Sequence, residues 1–201
     1  MNRKYLVHEE PAVRTASQRI AMVDLAPFGF PDLHEQVWLG VHEDDDLFVM
    51  QCVPFRIYGL NLFDVVRLDE NDMLVEVVNK GGHRTLRTLL EAGLEPQAFE
   101  EVAGGITSRA GKRGFAIEWS GPRHAAIDVP ANEDPASLVA YMDAQEEAGT
   151  LFWEWSDSQP FRSPLPGRRA WRKYSVHATT GAVVGAVTGT RQRPTTVLRG
   201  R

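Results

Sequence analysis

From Arg84 to Trp155 the sequence switches between the alternating rhythm of strands and the wider rhythm of helices, in an order that few folds accept. Arg84 to Leu90 reads as a strand. Pro96 can open a helix as its first residue, Phe99, Val102, Ala103 and Ile106 then share one helical face, and Gly111 is placed to end it. Phe115–Trp119 and His124–Val129 form a hairpin about Ser120-Gly121-Pro122. Asp134-Pro135 caps a second helix carrying Leu138, Tyr141, Met142 and Gln145 down one side, with Gly149 as terminator. Leu151–Trp155 closes with a strand. The order β-α-β-β-α-β is that of a ferredoxin-like, split-βαβ domain over residues 81–157.

Upstream, Val37–Val41 and Leu47–Met50 are β-rich runs separated by the acidic loop His42–Asp46. Asp64–Leu68 and Leu74–Val78 alternate inward and outward across the turn Asp69–Asp72. Four short strands with tight turns suggest a small, bent, β-barrel-like sheet over residues 36–80, with Gly59 at a backbone bend. The acidic loop lacks the glycine and terminal glutamate of a calcium-binding loop and reads as a solvated turn. Residues 1–35 read as an N-terminal extension contributing one strand. The expected class is therefore α+β: a small N-terminal β-barrel-like sheet, a ferredoxin-like domain and a tail.

That tail, residues 158–201, is rich in Pro, Gly, Arg and Thr and carries nine Lys and Arg but no acid. The whole chain of 201 residues has a net charge of −5, so removing those nine positive charges leaves residues 1–157 at −14. Such asymmetry marks either an interaction segment or a tail that folds back on the acidic body. Gly181, Gly185 and Gly189 repeat at helix-dimer spacing, but the run is too short to span a bilayer. One cysteine, Cys52, excludes an internal disulfide and a multi-cysteine zinc site, and the start has no apolar leader. The expectation is a cytoplasmic protein with no membrane association.

His83 is the candidate for proton transfer, following the pair Gly81-Gly82 that lets a ligand approach the backbone. In a strand, His83, Thr85 and Arg87 share a face and make a polar row able to hold a carboxylate or phosphate. Asp64 is the second catalytic candidate, as a base or as the carboxylate orienting His83. Arg56, Tyr58, Arg84 and Arg87 are the candidate ligand-binding residues. The alternative reading has His83 capping a turn, Arg87 pairing with an acid, Asp64 satisfying turn amides and Tyr58 half-buried. Cys52 lies in an apolar strand context and reads as an inert buried thiol. The six histidines show no H-x-x-x-H spacing, and no nucleophile-elbow, phosphate-loop or dinucleotide-binding motif is present. Neither a metal nor a cofactor is expected.

Trp38, Pro54-Phe55-x-x-Tyr58-Gly59, Asp64-Val65-Val66 and Gly82-His83-x-Thr85-x-Arg87 together resemble a bacterial family known as domain of unknown function 4265, over roughly residues 36–156. A serine commonly follows the Gly-His pair in that family, whereas this chain has Arg84. The resemblance implies a compact two-part fold and supplies no activity.

The absence of a reaction signature beside a strongly acidic body points to a binding or regulatory protein. It would use a groove between the two parts and a basic protein partner, as in an immunity or antitoxin role, with a small anion as a possible ligand. The rival is an enzyme or accessory enzyme of small-molecule or peptide modification, with His83 as acid/base, Arg87 as anion clamp and Asp64 orienting. A third reading confines nucleic-acid binding to the tail, since the acidic body repels phosphates.

Overall fold

The alternation read in the sequence folds into two sheets. A computed structural model describes residues 4–158 and residue 161. The first sheet comprises β1 (Lys4–Leu6), β2 (Gln18–Asp24), β3 (Leu33–Val41), β4 (Leu47–Met50), β5 (Val65–Leu68) and β6 (Leu74–Asn79). Its path runs β1-β3-β4-β5-β6, with β2 also on β3, and all pairings are antiparallel except β1 on β3. Residues 4–24 thus supply two strands. β3 accepts three partners because its nine residues are long enough to pair β1 and β4 on different halves. The sheet curls, and β2 reaches β6 through the Met22–Met73 bridge and a 3.0 Å bond from the Met22 amide to the Asp72 carbonyl, but it is not a closed barrel.

The second sheet holds β7 (Arg84–Leu90), β8 (Ile117–Ser120), β9 (His124–Val129) and β10 (Leu151–Trp155), in the antiparallel order β10-β7-β9-β8. Helix α1 (Pro96–Lys112) has Pro96 in its first turn and buries Val102, Ile106 and Ala110; α2 (Ala136–Glu147) buries Leu138 and Met142. Both helices pack with Leu86, Leu90, Ile127, Val129 and Leu151, so they cover one face of this sheet. β8 starts two residues later than Phe115, because the chain leaving α1 turns through Gly114 before it can pair.

The opposite face of the second sheet lies against the loop between β4 and β5 and against the segment after β1. Val53, Phe55, Leu62 and Ala126 form a core cluster there, packed with Leu6, Ala12, Val13 and Ala116. Both sheets belong to one compact unit. The turn that joins the sheets is tight: a Cβ at Gly81 would lie 2.5 Å from the Phe63 carbonyl oxygen. Phe63 itself adopts φ 63°, a left-handed conformation that costs an L residue energy. Apart from Ser158 and Phe161 the tail, with its expected partner roles, lies outside the described residues, as does the glycine repeat from Gly181 to Gly189. Among the described residues, no helix is long and apolar enough to cross a membrane.

Candidate functional site

The face of the second sheet turned away from the helices is polar although buried. β9 contributes His124 and Asp128, β7 contributes Thr85 and Arg87, and β8 contributes Glu118, each less than a tenth exposed. A polar group in that position must be paired or it destabilises the fold; Glu118 and Arg87 find partners across the joint and Asp128 pairs with His83, whereas Thr85 Oγ1 and His124 Nδ1 have none among the described residues.

His8 is the centre of the first cluster. It lies between two carboxylates, 2.5 Å from Glu118 Oε2 through Nδ1 and 3.1 Å from Glu35 Oε1 through Nε2. Glu118 also accepts the amides of Ala12 and Val53, and Glu35 those of Phe55 and Arg56, at 2.7–2.9 Å. The ring stacks on Phe55 at 4.2 Å, and the Trp38 indole donates to the His8 carbonyl. Burial by itself pushes the imidazole's pKa down, but Cys52 and the two carboxylates outweigh it and hold it well above the ordinary value. His8 is therefore a buried cation tying β3, the loop 53–56 and β8 into one body. Cys52 accepts the Trp38 amide at 3.4 Å, and burial pushes its thiol pKa up although His8 opposes it.

The second cluster surrounds Arg87. Its Nη1 donates to the carbonyls of Phe55 at 3.1 Å and Ile57 at 3.4 Å, and Nη2 stands 2.9 Å from Glu154. The guanidinium lies 4.2 Å from the Tyr58 ring centre, and the Tyr58 hydroxyl donates to Glu154 at 2.8 Å. Burial, helped by Glu154 and opposed by Arg87, pushes the phenol up to about 12, so it stays neutral. Arg56 stacks over Phe30 at 5.2 Å. Burial first, and then Arg87, lowers its pKa. His124 meets the edge of Phe55 at 5.7 Å, and burial together with Arg56 and Arg87 pushes its pKa well below the usual value.

Tyr58, Arg56 and Arg87 are thus neighbours. Arg84 is not with them: on the other face of β7 it pairs with Asp157 at 2.6 Å and lies over Trp155. Asp64 is fully buried and accepts from the Asn61 and Gly81 amides, both at 2.9 Å, and from Lys80 Nζ at 2.7 Å. Its lone pairs hold the turns at either end of β5 and β6 and do not orient His83. The carboxylate on His83 is Asp128, at 2.8 and 3.0 Å from Nδ1, with the Phe63 ring edge-on at 4.9 Å. Burial raises the Asp128 pKa, and His83 opposes that rise. Four residues of strand separate His83 from Arg87, about 13 Å. One small anion cannot engage both. Among the described residues no cluster of His, Cys, Asp and Glu is arranged to hold a metal ion.

The residues that sequence reasoning missed are His8, Glu35, Glu118, His124, Asp128 and Glu154. The available signal was a charge inside an apolar alternation. Glu35 stands in the inward row with Val37 and Leu39, and Asp128 interrupts a strand of which every residue is buried.

A family model described as "Domain of unknown function (DUF4265)" matches residues 35–153, from the buried Glu35 to the last strand. The chain belongs to this DUF4265 family. The family's matched span covers β3 to β10, while His8, which completes the first cluster, precedes it. A solved structure described as a hypothetical protein from Neisseria gonorrhoeae is similar over 72% of this chain and 96% of that one, with a TM-score of 0.52 at 15% identity. That likeness is one of fold. No curated protein matches the chain.

Proposed function

We propose that this DUF4265 chain is a binding and regulatory protein, of an immunity or antitoxin kind, whose acidic body associates with a basic protein partner. The observation that carries the reading is the charge of −14 on residues 1–157 together with where some of its exposed acids stand. The β3–β4 and β5–β6 turns present Asp45, Asp46, Asp69 and Glu70 around a shallow groove that Phe48, Leu68, Arg19 and Arg67 also line, with Arg19 over the Phe48 ring at 5.2 Å. Arg19 and Arg67 are paired with Asp72 and Glu76, which leaves the four turn carboxylates to receive a lysine or arginine of a partner. Of the candidates for chemistry, Asp64 supports the same reading, since its carboxylate is occupied with the Asn61 and Gly81 amides and Lys80. Affinity purification at low and high salt tests it: a partner retained at low salt and released at high salt is expected, and recovery of none refutes the reading.

The finer architecture belongs to the same proposal. The order β10-β7-β9-β8, with both helices on one face, supports a ferredoxin-like plan for the second sheet. The Met22–Met73 bridge supports a barrel-like character for the first.

One observation favours a second reading as an enzyme or accessory enzyme. His83 is held by Asp128 through Nδ1, is 18% exposed, and keeps Nε2 without a hydrogen-bond partner among the described residues, the arrangement of an oriented general base. His83→Ala would then abolish activity with little change in melting temperature. A large loss of stability would instead make the pair structural.

A further inference from the structure

Two guanidiniums share the joint beside β10 with one carboxylate. Arg87 is 3% exposed, and neither its Nε nor its Nη2 has an in-line hydrogen-bond acceptor among the described residues, although Glu154 provides an ion pair. His124, 6% exposed, likewise has no partner for Nδ1. Arg56 is half-buried and stacks on Phe30; Glu35 and Glu154 act on its charge from a distance, but among the described residues no carboxylate lies within ion-pair distance of it. Unpartnered polar groups of this kind, together with two like charges drawn out of water, are costly unless something negative completes the set. Glu154, a third exposed, and the half-buried Tyr58 mark where the cluster opens to solvent, beside Phe28 at 6.0 Å from Tyr58.

We infer that Arg56, Arg87 and His124 form a binding site for a small oxyanion, a carboxylate or a phosphate, with the Tyr58 ring as the platform that fixes Arg87. A guanidinium presents parallel N–H donors at the spacing of carboxylate and phosphate oxygens, and Tyr58 and the two backbone carbonyls hold that of Arg87 in one orientation. His124 is kept neutral by burial and by the two guanidiniums. An arriving anion offsets those charges, so binding raises the imidazole's pKa. Arg84 takes no part, being on the opposite face of β7. The site gives the anionic ligand of the binding reading a place, yet it is separate from the acidic groove, so either can fail alone.

The test is titration of the full chain with inorganic phosphate and, in a parallel arm, with succinate, following the His124 ring resonances by NMR. Saturable binding in either arm is expected, with an upward shift of the His124 pKa, and the arm that binds more tightly identifies the chemistry. Arg56→Gln should weaken binding by about tenfold or more, while Arg84→Gln leaves it within about twofold. If Arg56→Gln does not fold, Arg56→Lys keeps the charge and removes the fork, and should still weaken binding severalfold. No saturable shift in either arm overturns the inference. So does binding that the Arg56 variant leaves unchanged.

Discussion

Replacing His8 by alanine tests the joint where its electrostatics are most demanding. The substitution removes the cation between Glu35 and Glu118, two hydrogen bonds, and the ring stacked on Phe55. Each carboxylate keeps two backbone amides, so neither is stranded, but both charges then sit in the joint without their counter-ion. Removing one partner of a buried ion pair costs roughly 3–5 kcal/mol. The retained amides favour the lower part of that range, about 3 kcal/mol. For a chain of this length that is a melting temperature lower by about 6–12 °C. Urea unfolding should show the loss as a lower midpoint at unchanged slope. The pH dependence follows from the raised pKa: the contribution is fully present below the unfolded value near 6.5 and is lost as pH rises through the higher folded value. Wild type should therefore lose stability on the alkaline side, and His8→Ala should lack that decline. A cost below about 1 kcal/mol, or an unchanged alkaline limb, would refute the account of His8 as a buried cation.

His124 predicts the opposite limb. Its folded pKa is depressed, so its contribution is present above the unfolded value and is lost as pH falls below about 6.5; His124→Gln should flatten that acid decline in urea titrations. Gly81→Ala should destabilise by about 1–3 kcal/mol, because the atom its Cβ meets is the Phe63 carbonyl and not a movable side-chain end; a neutral effect by thermal melt would contradict the close approach. Cys52 should resist thiol reagents in the folded protein and react only on unfolding, since it is fully buried and its thiol is pushed up; rapid native-state labelling would contradict this.

The part of the fold legible in the sequence was the part set by periodicity. Phe99, Val102 and Ile106 repeat at helical spacing, and Val102 and Ile106 are buried against β7 and β9 as that spacing requires. β1 and β2 were harder to see because their apolar residues are split between faces: Ile20 is 43% exposed while Ala21 is buried. The grouping of Arg56, Tyr58 and Arg87 could be suggested by their neighbourhood in a motif, but no spacing rule places Glu154, whose contact with Tyr58 spans 96 residues. His83 has the same difficulty. Asp128 reaches it only because β7 pairs with β9 at the register Thr85–Asp128, and that register depends on the whole sheet. His8 lies in a segment with no regular period, so nothing local distinguishes it from a surface histidine.

The central claim is that the acidic turns of the first sheet are the surface that a basic partner meets, and one side-by-side capture tests it. The full chain and its Asp45→Asn, Asp46→Asn, Asp69→Asn, Glu70→Gln variant are used as bait at low salt. Those side chains line the groove, and a second bait exchanges only Asp45, Asp46 and Glu70, so that Asp69 still accepts from the Asn71 and Met73 amides. The account predicts a basic partner on the wild-type chain that both variants lose or hold only weakly. Equal retention by all three baits would contradict it.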